Sequence, residues 1–158
     1  MKKFLFVLAL VAIIATGTAF ADHPGGLGIG IQGGGGIYGS GGALSLKLPA
    51  VPVFWAIGAD FYGGTSWIGV SGDVYLAEGN IVPEIKLDYY IGVGGFVNLA
   101  FGDNFYIRGG ARIPIGLSWH FLEIFELYAQ IVPYLGISTY GSFFYWNVAG
   151  NIGLRIWF

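Results

Sequence analysis

Apolar and polar side chains alternate along much of this chain, and the alternation is clearest over residues 84–101. Charged side chains there, at Glu84, Lys86 and Asp88, all fall on one parity. The other parity is Ile85, Leu87, Tyr89, Ile91, Val93, Val97, Leu99 and Phe101. Because side chains alternate faces along a β-strand, the pattern predicts a strand with one apolar face and one ionic face.

The same alternation predicts eight strands separated by turns rich in glycine, proline and asparagine. Their expected bounds are 26–38, 42–48, 53–61, 67–76, 84–101, 105–119, 125–138 and 143–158. The turn after the fourth strand is expected at residues 78–80. Pro114 and Pro133 fall inside the sixth and seventh strands, where a residue without an N–H indicates either a bulge or a misplaced boundary.

Ten charged residues lie within the predicted strands, and all of them share the polar parity. They are Lys47, Asp60, Asp73, Glu84, Lys86, Asp88, Arg108, Arg112, Glu126 and Arg155. An Arg or Lys facing lipid at the bilayer midplane costs about 2–4 kcal/mol. The segregation therefore favours a sheet whose uncharged face meets hydrocarbon and whose charges form an internal ion-pair network.

Composition supports the same interpretation. Hydrophobic residues make up 55% of the chain and charged residues 10%, whereas about a quarter of a soluble domain is charged. After the N-terminal segment no apolar run is long enough for a spanning helix, so a closed β-barrel is the expected way to occupy a bilayer. A soluble, lipocalin-type barrel would carry only those ten charges on its solvent face, which is few for solubility.

The first residues resemble a secretory leader, with an apolar run over residues 4–15 and an A-x-A cleavage pattern. The pattern places Ala19 and Ala21 before the cut and Asp22 after it. Residues 1–21 are thus predicted to be a cleaved Sec signal peptide. An uncleaved anchor would need about 20 apolar residues, which this run does not reach.

The last eight residues resemble the C-terminal assembly signal of bacterial outer-membrane proteins, through Asn151, Gly153, Ile156 and the terminal Phe158. With the leader and the alternation, residues 22–158 are similar to the small outer-membrane barrels of the OmpA, OmpX and OmpW type. The resemblance implies one all-β domain, a transmembrane antiparallel up-and-down barrel of eight strands. It also implies that periplasmic chaperones and the β-barrel assembly machinery handle the chain during biogenesis.

The interior of an eight-stranded barrel is just wide enough to be filled by side chains. We therefore expect a monomeric protein of the bacterial outer membrane, surrounded by lipid, with a filled polar lumen and a structural or surface-interaction role. The connections are short, which disfavours a loop-mediated adhesion or receptor role. Trp55, Tyr89, Trp119, Trp146 and Phe158 are candidates for the aromatic girdles at the two membrane interfaces.

Two alternatives stay open. A narrow channel for small or hydrophobic molecules, as in OmpW-like proteins, would use the same architecture. A lipid A-modifying enzyme is the other, because Ser118, His120 and Glu126 loosely resemble the Ser/His/Glu set of outer-membrane deacylases. Their shared parity points them into the barrel, away from acyl chains, so we expect no catalytic site.

No cofactor, metal or nucleic acid is expected. The chain has no cysteine and only two histidines, His23 and His120, without ligand spacing. The strand carboxylates have arginines available as partners. Seven Lys and Arg residues against nine Asp and Glu residues give no basic surface for a nucleic acid.

Overall fold

The computed structural model describes residues 26–36, 39–62, 65–102, 105–139 and 141–158. The strands there are β1 (Gly28–Gly36), β2 (Gly39–Lys47), β3 (Phe54–Tyr62), β4 (Thr65–Val82), β5 (Leu87–Phe101), β6 (Tyr106–Arg112), β7 (Ile115–Phe121), β8 (Phe125–Ser138) and β9 (Phe144–Trp157). Within these ranges no helix is long and apolar enough to cross a membrane. The predicted signal peptide, with Ala19, Ala21 and Asp22, lies outside the described residues.

The strands close into an antiparallel ring with eight strand positions, which confirms the predicted all-β class and strand number. β1 to β5 pair in chain order, β6 and β7 share the position between β5 and β8, and β9 pairs with both β8 and β1. Beyond the last pair, Leu27 and Phe158 exchange backbone hydrogen bonds of 3.0 and 2.9 Å. The two ends of the described chain therefore meet at one rim of the ring, here called the near end; the opposite rim is the far end.

The ring is staggered, as closure of a twisted sheet requires. A path through directly paired residues runs Trp157, Gly28, Lys47, Phe54, Asp73, Gly94, Arg112, Tyr134, Asn147. It leaves β9 at residue 157 and returns to β9 at residue 147, a stagger of ten residues over eight strand positions. With about 3.3 Å per residue and about 4.8 Å between strands, this corresponds to a strand tilt of about 40°.

The predicted sixth strand is interrupted but not shifted. Between the last pair that β6 makes with β5 and the first pair that β7 makes with β5, the chain advances by three residues on each of the two paired sides. The N–H of Gly92 donates to the carbonyl of Pro114 at 2.8 Å, and the N–H of Ile113 donates to the carbonyl of Pro133 at 2.9 Å. The two prolines therefore mark a local change in hydrogen bonding within one register, and the bulge considered at the sequence level is not present there.

The turn predicted at residues 78–80 is wrong. β4 continues to Val82, and register shifts against β5 between Tyr75 and Ala77 and between Asn80 and Val82 absorb the extra residues. Bulges of this kind let a strand bend while its pairing continues. Glycine and asparagine at this point accompany bulges rather than a turn.

The chain instead reverses through a single 3₁₀ turn, Pro83–Ile85, followed by Lys86 with φ of 54°. Proline suits the first position of such a turn because its φ is fixed and it has no N–H to leave unpaired. Glu84 and Lys86 are consequently exposed turn residues, and their predicted place on the inner face of a strand is wrong.

Along the remaining strands the apolar parity faces outward and the polar parity faces inward. β8 is typical: Leu127, Ile131 and Leu135 are exposed, whereas Glu126 and Tyr128 are buried. No described strand places a charged side chain at an outward position. The ring is thus apolar outside and polar and aromatic inside.

Candidate functional site in the ring interior

The near half of the interior is organised around a buried ion pair. Arg155 Nη1 donates to Glu126 Oε2 at 2.6 Å, and Trp157 Nε1 donates to the same oxygen at 2.9 Å. Arg155 Nη2 also donates to Ser45 Oγ at 2.9 Å. Arg155 is 2% exposed and Glu126 is 0% exposed. Charges buried this deeply are tolerated only when paired and hydrogen-bonded, and this pair meets both conditions.

Aromatic rings stack beside that pair and fill the near half. The rings of Phe54 and Tyr75 are 4.0 Å apart and nearly parallel, and those of Tyr75 and Tyr90 are 4.3 Å apart. The Arg155 guanidinium lies 4.8 Å from the Phe54 ring and 4.7 Å from the ring of Tyr128. The cation and the stack form one continuous packed cluster across the interior.

Two tyrosines repeat the same three-strand arrangement. Tyr90 on β5 lies across its directly paired Gly116 on β7 and donates to Gln130 Oε1 on β8 at 3.0 Å. A Cβ on this glycine would overlap the tyrosine ring. The missing side chain therefore lets the ring pass over one strand and bond to the next.

Tyr128 on β8 does the same one step around the ring. It lies across its paired Gly153 on β9 and donates to Gln32 Oε1 on β1 at 2.9 Å. This second bond spans the β9–β1 seam where the ring closes. The tyrosines thus tie strands together from inside as well as filling the interior.

A second buried ion pair lies farther along the interior. Arg112 Nε is 3.1 Å from Asp73 Oδ1, and both side chains are almost fully buried. The inward position opposite Asp73 on β5 is Gly94, whose missing Cβ leaves room for the carboxylate. Strand β6 then presents Arg112 as the direct neighbour of that glycine.

The near rim holds weaker, more exposed contacts. Asp88 accepts a short hydrogen bond from Asn80 and lies 3.5 Å from His120 Nδ1. Lys86 Nζ is 3.8 Å from Glu123 Oε1 in a pair that is largely exposed. Lys47, at the end of β2, donates to the Leu48 carbonyl at 2.9 Å, and its ammonium lies 5.6 Å from the centre of the Phe54 ring.

The far half holds its cation among aromatic rings. The Arg108 guanidinium lies 4.5 Å from the Trp67 ring and 5.5 Å from the rings of Tyr106 and Tyr145. Below it, Phe96 packs edge-on against Tyr134 at 5.5 Å, within a buried apolar cluster. No described carboxylate forms an ion pair with Arg108.

The structure therefore brings together part of the charged set proposed from sequence. Glu126 meets Arg155 and Asp73 meets Arg112, whereas Arg108 stands apart among aromatic rings. Glu84 and Lys86 lie outside the interior. Asp60 is the inward-parity residue of β3 opposite Trp67, and its side chain lies outside the described part of the structure.

The residues considered for catalysis lie in the near half. His120 and Glu126 are direct neighbours across β7 and β8, and Ser118 is fully buried on the same face. Glu126 Oε2 is held by Arg155 and Trp157, and His120 faces Asp88. Among the described residues no group of three His, Asp or Glu side chains has a geometry that would hold a metal ion.

The C-terminal motif covers the end of β9 and the residue that follows it, beside β1 where the ring closes. Asn151 and Gly153 face inward beside β1, whereas the outward-parity Ile156 and the exposed Phe158 lie at the near rim. The girdle candidates Trp55, Tyr89, Trp119 and Trp146 are all exposed on the outer face.

Sequence reasoning predicted a polar interior filled by side chains but not the contacts that complete it. Gln32, Ser45 and Gln130 accept the internal hydrogen bonds, and Tyr75 and Tyr90 form the stack. The available signal was tyrosine and glycine on the polar parity of neighbouring strands, since each bulky ring needs a small residue on the adjacent strand.

No known protein family, curated protein or solved structure matches this chain.

Proposed function

We propose that this chain is an integral outer-membrane β-barrel protein with a filled interior and a structural or surface-interaction role in the bacterial envelope. The observation that carries the proposal is the outer face, where the described strands expose large apolar side chains and no charge. A soluble protein rarely exposes an apolar surface that extends around the whole molecule. Hydrocarbon is the solvent that such a surface suits.

The dimensions of the apolar band agree with a membrane. Along β8 the outward apolar positions extend from Leu127 to Ile137, ten residues apart. At about 3.3 Å per residue and a tilt of about 40°, they span about 25 Å along the ring axis. The outward apolar band of outer-membrane barrels is about 25 Å tall.

Aromatic clusters flank the band at both rims. At the near end, Phe121 lies 5.1 Å from Trp119 and 5.5 Å from Phe125. At the far end, the ring of Phe101 lies 5.4 Å from that of Phe105. Aromatic side chains at both ends of an aliphatic band are the arrangement found at membrane interfaces.

The packed interior favours a structural barrel over a narrow channel. The stack at Phe54, Tyr75 and Tyr90 fills the near half, and the cluster of Phe96 and Tyr134 fills the middle of the far half. In planar bilayers we expect no steady ion-selective current from the reconstituted chain. A steady current would favour the channel alternative.

Site-directed spin labelling tests membrane insertion directly, because the chain has no cysteine to remove. Single cysteines replace Leu127, Ile131, Leu135 and Ile137 in reconstituted vesicles, with exposed Leu122 in the near-end turn as the aqueous control. We expect collisions with oxygen to be most frequent, and those with a water-soluble nickel chelate rarest, near Ile131. Nickel accessibility at Ile131 equal to that at Leu122 would refute insertion.

A further inference from the structure

The far-end aromatic cup, defined by Trp67, Tyr106, Arg108 and Tyr145, differs from the surroundings of Arg112 and Arg155, the other two arginines of the described interior. Its cation is surrounded by ring faces and has no described carboxylate beside it. Arg108 is only partly buried among the described residues. By contrast, Arg112 and Arg155 are buried and each is paired with a carboxylate.

Two donors in this cup lack acceptors. Arg108 Nε and Tyr145 Oη are both buried without a hydrogen-bond partner in the described structure. An arginine side chain has donors only, and a phenol donates readily. Buried polar groups are nearly always hydrogen-bonded. The Arg108 guanidinium lies against the Tyr145 ring. The partner that both donors lack is an oxygen acceptor.

The floor of the cup is apolar and closed. Tyr145 packs against the buried cluster of Phe96, Val132, Tyr134 and Ala149. A ligand entering from the far rim would therefore stop at Arg108 and would not pass into the near half. The aromatic walls provide faces for whatever the acceptor group is attached to.

We propose that the far-end cup binds an oxyanion of the phosphate or carboxylate type. The guanidinium supplies charge-assisted hydrogen bonds of the kind that arginine makes to phosphate and carboxylate oxygens, and Tyr145 supplies one more donor. The oxyanion belongs either to a lipid headgroup at the rim or to a small free anion. This binding site depends only on residues inside the ring, so it does not require that the outer face meets lipid.

Calorimetric titration of the purified full-length chain in a non-ionic maltoside detergent tests the cup. The probes are inorganic phosphate and dodecyl phosphate. We expect saturable binding of at least one probe, weakened about tenfold or more by Arg108→Gln, because charge-assisted hydrogen bonds are lost. Tyr145→Phe, which removes a single hydroxyl, should weaken binding about threefold or more.

Lys86→Gln is the matched control, because it removes one exposed cation at the opposite rim and should leave binding unchanged. Tighter binding of dodecyl phosphate than of inorganic phosphate would assign the site to a lipid headgroup, and equal binding would assign it to a free oxyanion. Heat-modifiable gel migration checks that each variant is folded. If Arg108→Gln does not fold, Tyr145→Phe still decides the question.

Two results would overturn the proposal. One is the absence of saturable binding of either probe in the millimolar range. The other is binding that a folded Arg108→Gln or Tyr145→Phe variant leaves unchanged, which would place the anion elsewhere. Neither result bears on membrane insertion, which the spin-label experiment tests separately.

Discussion

The two halves of the ring interior hold an arginine in contrasting ways. In the near half, Arg155 has a carboxylate, a serine hydroxyl and aromatic faces around it and is almost fully buried. In the far half, Arg108 has aromatic faces alone among the described residues and stays partly exposed. The near cation therefore stabilises the closed ring, whereas the far cation keeps donors available for a ligand.

The same contrast extends to the walls around each arginine. At the near side of the seam, Tyr128 reaches over Gly153 to Gln32 and ties β8 to β1. Toward the far end, β1 and β2 face each other through Gly33–Gly36 and 39–42, seven glycines and one serine. Glycine weakens a strand because it packs nothing and has more conformational freedom to lose. The described cross-links of Tyr90 and Tyr128 both lie in the near half.

The largest expected effect comes from removing each arginine in turn. Arg155→Met leaves Glu126 buried without its cation and should cost about 3–5 kcal/mol of unfolding free energy. Arg108→Met loses cation–π contacts at a partly exposed site and should cost about 1 kcal/mol or less. Urea unfolding in detergent or lipid vesicles measures both. Equal losses of unfolding free energy in the two variants would contradict the distinction between the two halves.

Two glycines on β9 allow a test of how much the tyrosine cross-links contribute to stability. A Cβ at Gly153 would overlap the Tyr128 ring, so Gly153→Ala should cost about 1–3 kcal/mol. Gly150→Ala is the matched change three residues away, facing outward with open space around it. It should be neutral or stabilise by about 0.5–1 kcal/mol. Unfolding midpoints compare the two, and a neutral Gly153→Ala would mean that the interior packing is loose.

The smallest effect is expected at the rim. Lys86→Gln breaks an exposed pair with Glu123 at 3.8 Å, and such pairs contribute about 0–1 kcal/mol. The unfolding midpoint should therefore move little, and the change should shrink further in high salt. A loss comparable to that of Arg155→Met would show that the exposed rim supports the near half as much as the buried pair does.

The alternation of apolar and charged residues was enough to predict the strand number and the face each strand exposes. β8 was predicted with its observed bounds, 125–138, because apolar and polar positions alternate through most of it. The pattern failed at residues 78–86. There, the bulges in β4 carry that strand past the predicted turn, and the chain reverses at Pro83–Ile85 instead, so Glu84 and Lys86 were misplaced.

The ion pairs were less predictable than the faces. Parity places Glu126 and Arg155 on the same side, but only the register of β8 against β9 makes them direct neighbours. The register of two consecutive strands is set by the turn between them and by their packing, which alternation alone does not fix. The far-end aromatic cup around Arg108 was not predicted either, because Trp67 and Tyr145 come from strands that are distant in sequence.

Depth-resolved quenching of single tryptophans in vesicles tests most directly whether the uncharged outer face meets hydrocarbon. Two variants retain only Trp146, which is 78% exposed on the outer face, or only Trp157, which is 4% exposed and bonded to Glu126. With lipids brominated along their acyl chains, we expect strong quenching of Trp146 and little quenching of Trp157. If Trp146 stays bright with brominated lipids and is quenched by aqueous acrylamide, the outer face does not meet hydrocarbon.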